Sequence, residues 1–184
     1  MGIQLSKVCS FLEGVGVDPR GRCLSDIWDY DNAEFDGCHD FIQWMFPLPK
    51  PSNFFKGYDC PVLLEEDLNY LRGSIHAQHN IETNVAVFLK FLGLRLKKFQ
   101  GYGTPLEYTV TASELVNQHE YWLKANDHNH LRINRMLQFL VLTDNENLAK
   151  AIFRCLVMIK CEFDDCITDE TMVYWRNALT GYSY

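Results

Sequence analysis

The sequence has no apolar run long enough to cross a membrane as a helix. Its longest, residues 151–159, is interrupted by Arg154 and falls far short of the ~20 residues a spanning helix needs. Bases are also scarce: 17 Lys and Arg stand against 24 Asp and Glu, a net charge of -7. That balance opposes the attraction on which nonspecific nucleic-acid binding depends, so no nucleic-acid partner is expected. Walker loops and serine elbows are missing, and Gly14-Val15-Gly16 alone is no phosphate loop. Cys155, Cys161 and Cys166 lack the close ligand pairs of structural zinc sites, and His76 with His79 makes one close pair only; neither a metal nor a cofactor is expected. Cys38 adjoins His39, but neighbours on a helix point about 100° apart and do not make a nucleophile and base. No catalytic residue is assigned. Seven cysteines without a regular framework, in a chain with no signal peptide, read as reduced thiols of a cytoplasmic protein.

What is present suits one domain with a substantial core. The chain has 184 residues, of which 47% are apolar and 22% charged. Residues 1–23 carry Gly14, Gly16, Pro19 and Gly21 and read as an irregular lead-in, with residues 24–184 as the helical domain. The first residues, Met1-Gly2-Ile3-Gln4-Leu5-Ser6, match the pattern for acylation of Gly2, and Cys9 is positioned for a second acyl chain. One chain anchors only marginally, so peripheral membrane association needs that second signal.

Helical periodicity dominates the rest. Asp31 followed by Glu34 predicts a helix start, with Phe35, Cys38, Ile42 and Met45 as its apolar stripe until Pro47. Pro47, Pro49 and Pro51 predict an extended connection to about Tyr58, equally suited to docking a partner protein. Further helices are expected at 65–71, at 81–92 ending on Gly93, at 115–123, 133–141, 148–159 and 172–179, the last capped by Thr168 and stopped by Gly181. Gly101 to Pro105 is a break, and no strand alternation competes. The expected fold is all-α, a single-domain irregular bundle of six or seven helices.

Two polar clusters stand out. If the segment from Asn126 is helical, His128, Arg132 and Arg135 share one face beside the free amides of the first turn, with Asn129 adjacent. A carboxylate or phosphate there meets the positive end of the helix dipole and two guanidinium forks. The alternative is that the arginines pair with acids of the stretch from Asp26 to Asp40, which contains no Lys or Arg. On the first strong helix, His39 and Gln43 form a polar edge with Trp44 alongside, suited either to a ligand pocket or to bonding a neighbouring loop. These seven residues are the candidate ligand-binding set, and Gly2 and Cys9 the candidate lipidation set.

The segments Leu24-Ser25-Asp26-Ile27-Trp28 and Cys38-His39-Asp40-Phe41-Ile42-Gln43-Trp44-Met45-Phe46-Pro47 resemble the signature of the opioid growth factor receptor conserved region. Phe91-Leu92-Gly93-Leu94, Asn129 to Arg135, and Tyr174-Trp175-Arg176-Asn177-Ala178 resemble its later motifs in the same order, so the resemblance runs from about residue 22 to 178. Asn134 stands where members often carry Thr, and Phe41 where they often carry Tyr. The resemblance implies a non-enzymatic receptor-like domain that recognises a peptide; the vertebrate member is described as an enkephalin receptor associated with the nuclear periphery. A perinuclear or peripheral-membrane location is implied with it. Competing expectations are a protein-interaction effector anchored through Gly2, and an enzyme acting on a phosphorylated substrate with His128 as acid or base.

Overall fold

A computed structural model describes residues 5–52 and 60–180. Gly2, Gly181 and residues 53–58 of the proline segment lie outside them. The chain divides into two compact units after Val87.

The first unit opens with α1 (Lys7–Leu12), which is helical where the sequence suggests irregular backbone. Ser6 caps it by accepting from the Cys9 amide at 3.0 Å, and Val8, Cys9, Phe11 and Leu12 are buried. Four short helices follow: α2 (Leu24–Trp28), α3 (Asn32–Gly37), α4 (Phe41–Met45) and α5 (Glu65–Gly73); α6 (Ile75–Phe91) begins here and ends in the second unit. Helix α1 packs against α4 and α5. Asp67 accepts from the Cys9 thiol at 3.3 Å, and Glu13 accepts from Tyr70 at 2.8 Å and from Ser74. Edge-on rings of Tyr30, Phe35 and Phe41 form part of the core, with centroids 5.3 to 5.7 Å apart. Beyond Pro47, Leu48 bridges Val62, with the Leu63 amide donating to the Leu48 carbonyl at 3.0 Å.

The helix expected from Asp31 to Pro47 is two helices. Asp31 and Glu34 do form the expected capping box, each side chain bonding the other's amide at 2.8 and 2.9 Å. Cys38 then turns extended, with ψ of 125°, and the next helix starts after Asp40. Gly37 ends the first of them, and the loop beyond it places the Asp40 carboxylate against Arg20 and Arg22.

The second unit corrects the all-α expectation. After the end of α6, β1 (Arg95–Phe99) pairs antiparallel with β2 (Glu107–Thr111), Arg95 opposite Thr111 and Phe99 opposite Glu107. Tyr108, Thr109, Val110 and Thr111 suit a pleated strand, and the Gly101 to Pro105 break is the connection between strands. Only Val110 of the ten strand residues is buried, which is why the apolar alternation is faint in the sequence. Next come α7 (Leu115–Gln118), a 3-10 turn His119–Tyr121, α8 (His128–Leu142), α9 (Glu146–Glu162), a second 3-10 turn and α10 (Asp169–Ala178). Among the described residues there are thus ten α-helices and one two-stranded sheet. Helix α10 packs on α8 and α9, and β2 runs along α9. Thr168 caps α10 as expected, accepting from the Thr171 amide at 3.1 Å.

Gly93 closes α6 with φ of +75°, and a Cβ built there would sit 2.8 Å from the Glu114 carbonyl oxygen and 2.9 Å from Leu115 Cα. The left-handed conformation alone costs a non-glycine residue roughly 1–2 kcal/mol, and the clash is with backbone that cannot rotate away. Gly93→Ala is therefore expected to destabilise the second unit by about 2 kcal/mol or more, read as a lowered urea midpoint. An unchanged midpoint would contradict this packing.

Candidate functional site

The first two turns of α8 hold the densest polar arrangement. Asp127 caps the helix, accepting from the Asn129 amide at 2.8 Å, and its carboxylate also faces Lys124 Nζ at 3.3 Å and His128 Nδ1 at 3.6 Å. The positive end of the dipole is therefore already met by the chain's own carboxylate. Asn129 is buried and doubly used: its Nδ2 donates to the Tyr121 carbonyl, and its Oδ1 accepts from Arg132 Nη1, both at 2.9 Å. Arg132 is itself buried, so this fork braces the helix start from within. His128 and Arg135 are half-exposed and Leu131 is exposed, which makes 128, 131 and 135 the accessible face of these turns.

His130, one residue from Leu131, faces the other way. Its ring stands edge-on to Trp122 and Trp175, with centroids 6.2 and 5.4 Å away. Nε2 lies 2.9 Å from the Trp122 carbonyl, which can only accept, so Nε2 carries the proton. Nδ1 is buried without a partner among the described residues. Burial pushes the imidazole below its ordinary value, against the upward pull of the Trp122 carbonyl and Asp127. The unfolded chain takes up a proton near pH 6.5 and the folded chain resists it, so stability must decline as pH drops below about 6.5. His130→Gln is expected to shallow that decline in urea titrations from pH 7 to 5. An identical pH slope in the variant would contradict a neutral His130.

The indoles extend this network. Trp122 Nε1 donates to the Leu92 carbonyl and Trp175 Nε1 to the His130 carbonyl, both at 3.0 Å. Three segments far apart in sequence, around Leu92, His130 and Trp175, are thus joined in one buried chain of bonds. In the first unit Trp28 plays a similar part: its Nε1 donates to Asn84 Oδ1 at 2.6 Å, and Asn84 Nδ2 donates to the Met45 carbonyl at 3.3 Å.

The candidate residues fall into two sets in different units. In the first, His39 is exposed in the loop between α3 and α4, off the stripe expected for it, while Gln43 and Trp44 are buried in α4. Trp44 packs edge-on to Phe11 at 5.3 Å, and Gln43 Oε1 has no partner among the described residues. In the second unit, Asn129 and Arg132 are bonded together, with His128 and Arg135 beside them. Cys9 is buried, and burial, with Asp67 alongside, pushes its thiol up to about 11, which makes it a poor nucleophile in the folded chain.

Sequence reasoning missed the ion-pair cluster at Asp18, Arg20, Arg22 and Asp40. Arg22 Nε donates to Asp18 Oδ2 at 2.6 Å, and its Nη1 reaches Tyr30 at 2.8 Å and Asp40 at 3.1 Å; Arg20 Nε meets Asp40 at 2.5 Å. Burial pulls the guanidinium pKa down, but the bonds to Asp18 and Tyr30 and the two carboxylates more than offset it, and the net direction is up. Two arginines just upstream of a base-free acidic stretch were the available signal. Among the described residues, no group of three or more His, Cys, Asp or Glu is placed to hold a metal ion, and no helix is long and apolar enough to cross a membrane.

The family model for the opioid growth factor receptor conserved region matches residues 11–181. The human opioid growth factor receptor is 29% identical over 125 residues, an alignment covering 66% of this chain and 17% of the human protein. No solved structure matches the chain. With the match spanning nearly all of the described helices, the chain belongs to the opioid growth factor receptor conserved-region family.

Proposed function

We propose that the protein is a non-enzymatic, receptor-like binding module that takes a peptide, or another small acidic ligand, on the accessible face of the first two turns of α8. The observation that carries this reading is the placement of His128, Leu131 and Arg135 on one outward face, with Arg132 buried behind them and fixed by Asn129. Arg135 supplies a planar fork for a carboxylate and Leu131 an apolar contact, while His128 offers only its ring edge, since its Nδ1 faces Asp127 and its Nε2 is buried. Because Asp127 holds the first-turn amides, the ligand's carboxylate is received by side chains and not by the helix end. The name of the human relative, a receptor for a growth factor of opioid type, supports a peptide as the ligand class. That relative extends well beyond the aligned stretch, so its other properties are not carried over.

The test is a thermal-shift series on the purified chain with enkephalin peptides, nucleotides and dicarboxylates, since a ligand of the native state raises the melting temperature. A peptide hit is expected, and Arg135→Ala should weaken it by about tenfold or more, the loss of one charge-assisted hydrogen bond. Unchanged affinity in a folded Arg135→Ala protein would overturn this reading.

A further inference from the structure

The β-hairpin of the second unit is a different surface with chemistry of its own. Among the described residues the sheet has two strands, and it is β2, not β1, that packs along α9. Strand β1 has one edge paired to β2, and its other edge is the one away from β2 at which a further strand can pair. One face of the hairpin carries Arg95, Lys97 and Phe99 across from Thr111, Thr109 and Glu107, and all six are exposed. Phe99 is 53% exposed, and Tyr102, in the connecting turn, is fully so. The five residues of β1 include three bases, Arg95, Lys97 and Lys98, in a chain whose net charge is -7.

Charge on an outer strand ordinarily keeps other strands away. Here it does so selectively. A second copy of the chain pairing edge to edge would bring three bases against three bases, which is repulsive. A strand bearing acids meets opposite charge at the same positions. We infer that β1 is a docking edge for an extended acidic peptide, which adds as a third strand and places alternate carboxylates beside Arg95 and Lys97 and an apolar residue beside Phe99. Main-chain hydrogen bonds supply the affinity, and the two bases with the exposed ring supply the selection. The exposed Arg95–Glu114 ion pair, at 2.9 Å, exchanges one carboxylate for another when the peptide arrives.

The experiment uses the full chain and a capped seven-residue peptide with glutamate at alternate positions and a valine at one end. Its controls are the same peptide N-methylated at alternate residues, a lysine version, and a single-stranded oligonucleotide. Amide resonances and hydrogen exchange of residues 95–99 report the site. The glutamate peptide is expected to shift and protect β1 amides, and N-methylation to abolish the effect. Lys97→Glu, at an exposed position, should weaken the glutamate peptide by about fivefold to tenfold and admit the lysine version. Arg135→Ala should change neither result, which separates this edge from the α8 site. Equal binding of the N-methylated peptide, preference for the oligonucleotide, or no protection of β1 at millimolar peptide would each overturn the assignment.

Discussion

Trp175→Ala is expected to destabilise the second unit by about 3–5 kcal/mol, the usual cost of emptying a buried large-ring site. Trp175 is fully buried, and its indole N–H is the donor to the His130 carbonyl at 3.0 Å. Alanine leaves a cavity beside the His130 ring and removes the bond that ties α10 to α8. Trp175→Phe separates the two effects: it restores most of the volume without the N–H, and should lose about 0.5–1.5 kcal/mol, the net worth of one hydrogen bond to a carbonyl that keeps its partner within α8. Urea unfolding of both variants checks the ranking. A loss below 1 kcal/mol for alanine would mean that the indole is not the tie described.

In the first unit the largest effect is expected at Arg22. Its side chain is 14% exposed and that of Asp18 not exposed at all, so Arg22→Ala leaves a carboxylate buried with only backbone amides for company. Breaking a buried pair from one side costs about 3–5 kcal/mol, more than a surface pair ever supplies. Asp18→Asn combined with Arg22→Ala removes the stranded charge and should recover part of the loss. If the single variant unfolds at the same urea concentration as the original chain, Asp18 and Arg22 do not hold the loop that carries Asp40.

These two sites explain what could be read in the sequence. The long helices were legible because their apolar residues recur over several turns, as Ile81, Val85 and Phe88 do in α6, and because Asp31, Thr168 and Gly93 mark ends by local chemistry. Helices α1 and α2 were not, since five or six residues hold too few repeats to show a period. The hairpin was hidden by having a single buried strand residue, Val110. The helix from Asp31 ends at Gly37, a local stop signal that the apolar stripe across it concealed, and the ion pairs of Asp40 beyond it are tertiary.

The candidate site shows the same division. Asn129 and Arg132, three residues apart, were readable as neighbours, but their bond to one another and their burial were not. The resemblance to the family rests largely on residues that build the frame: Trp28, Leu92, His130 and Trp175 all enter indole hydrogen bonds. Family motifs thus identified the family, while the accessible face of α8 became visible only once the buried members were set aside.

If this face receives a ligand carboxylate, calorimetric titration with an enkephalin peptide in free-acid and amidated forms reads it out. The two differ only in the terminal charge. The free acid is expected to bind about tenfold or more tightly than the amide, and Arg135→Ala to bring the two affinities together. Equal affinity for acid and amide in the unaltered protein would contradict it.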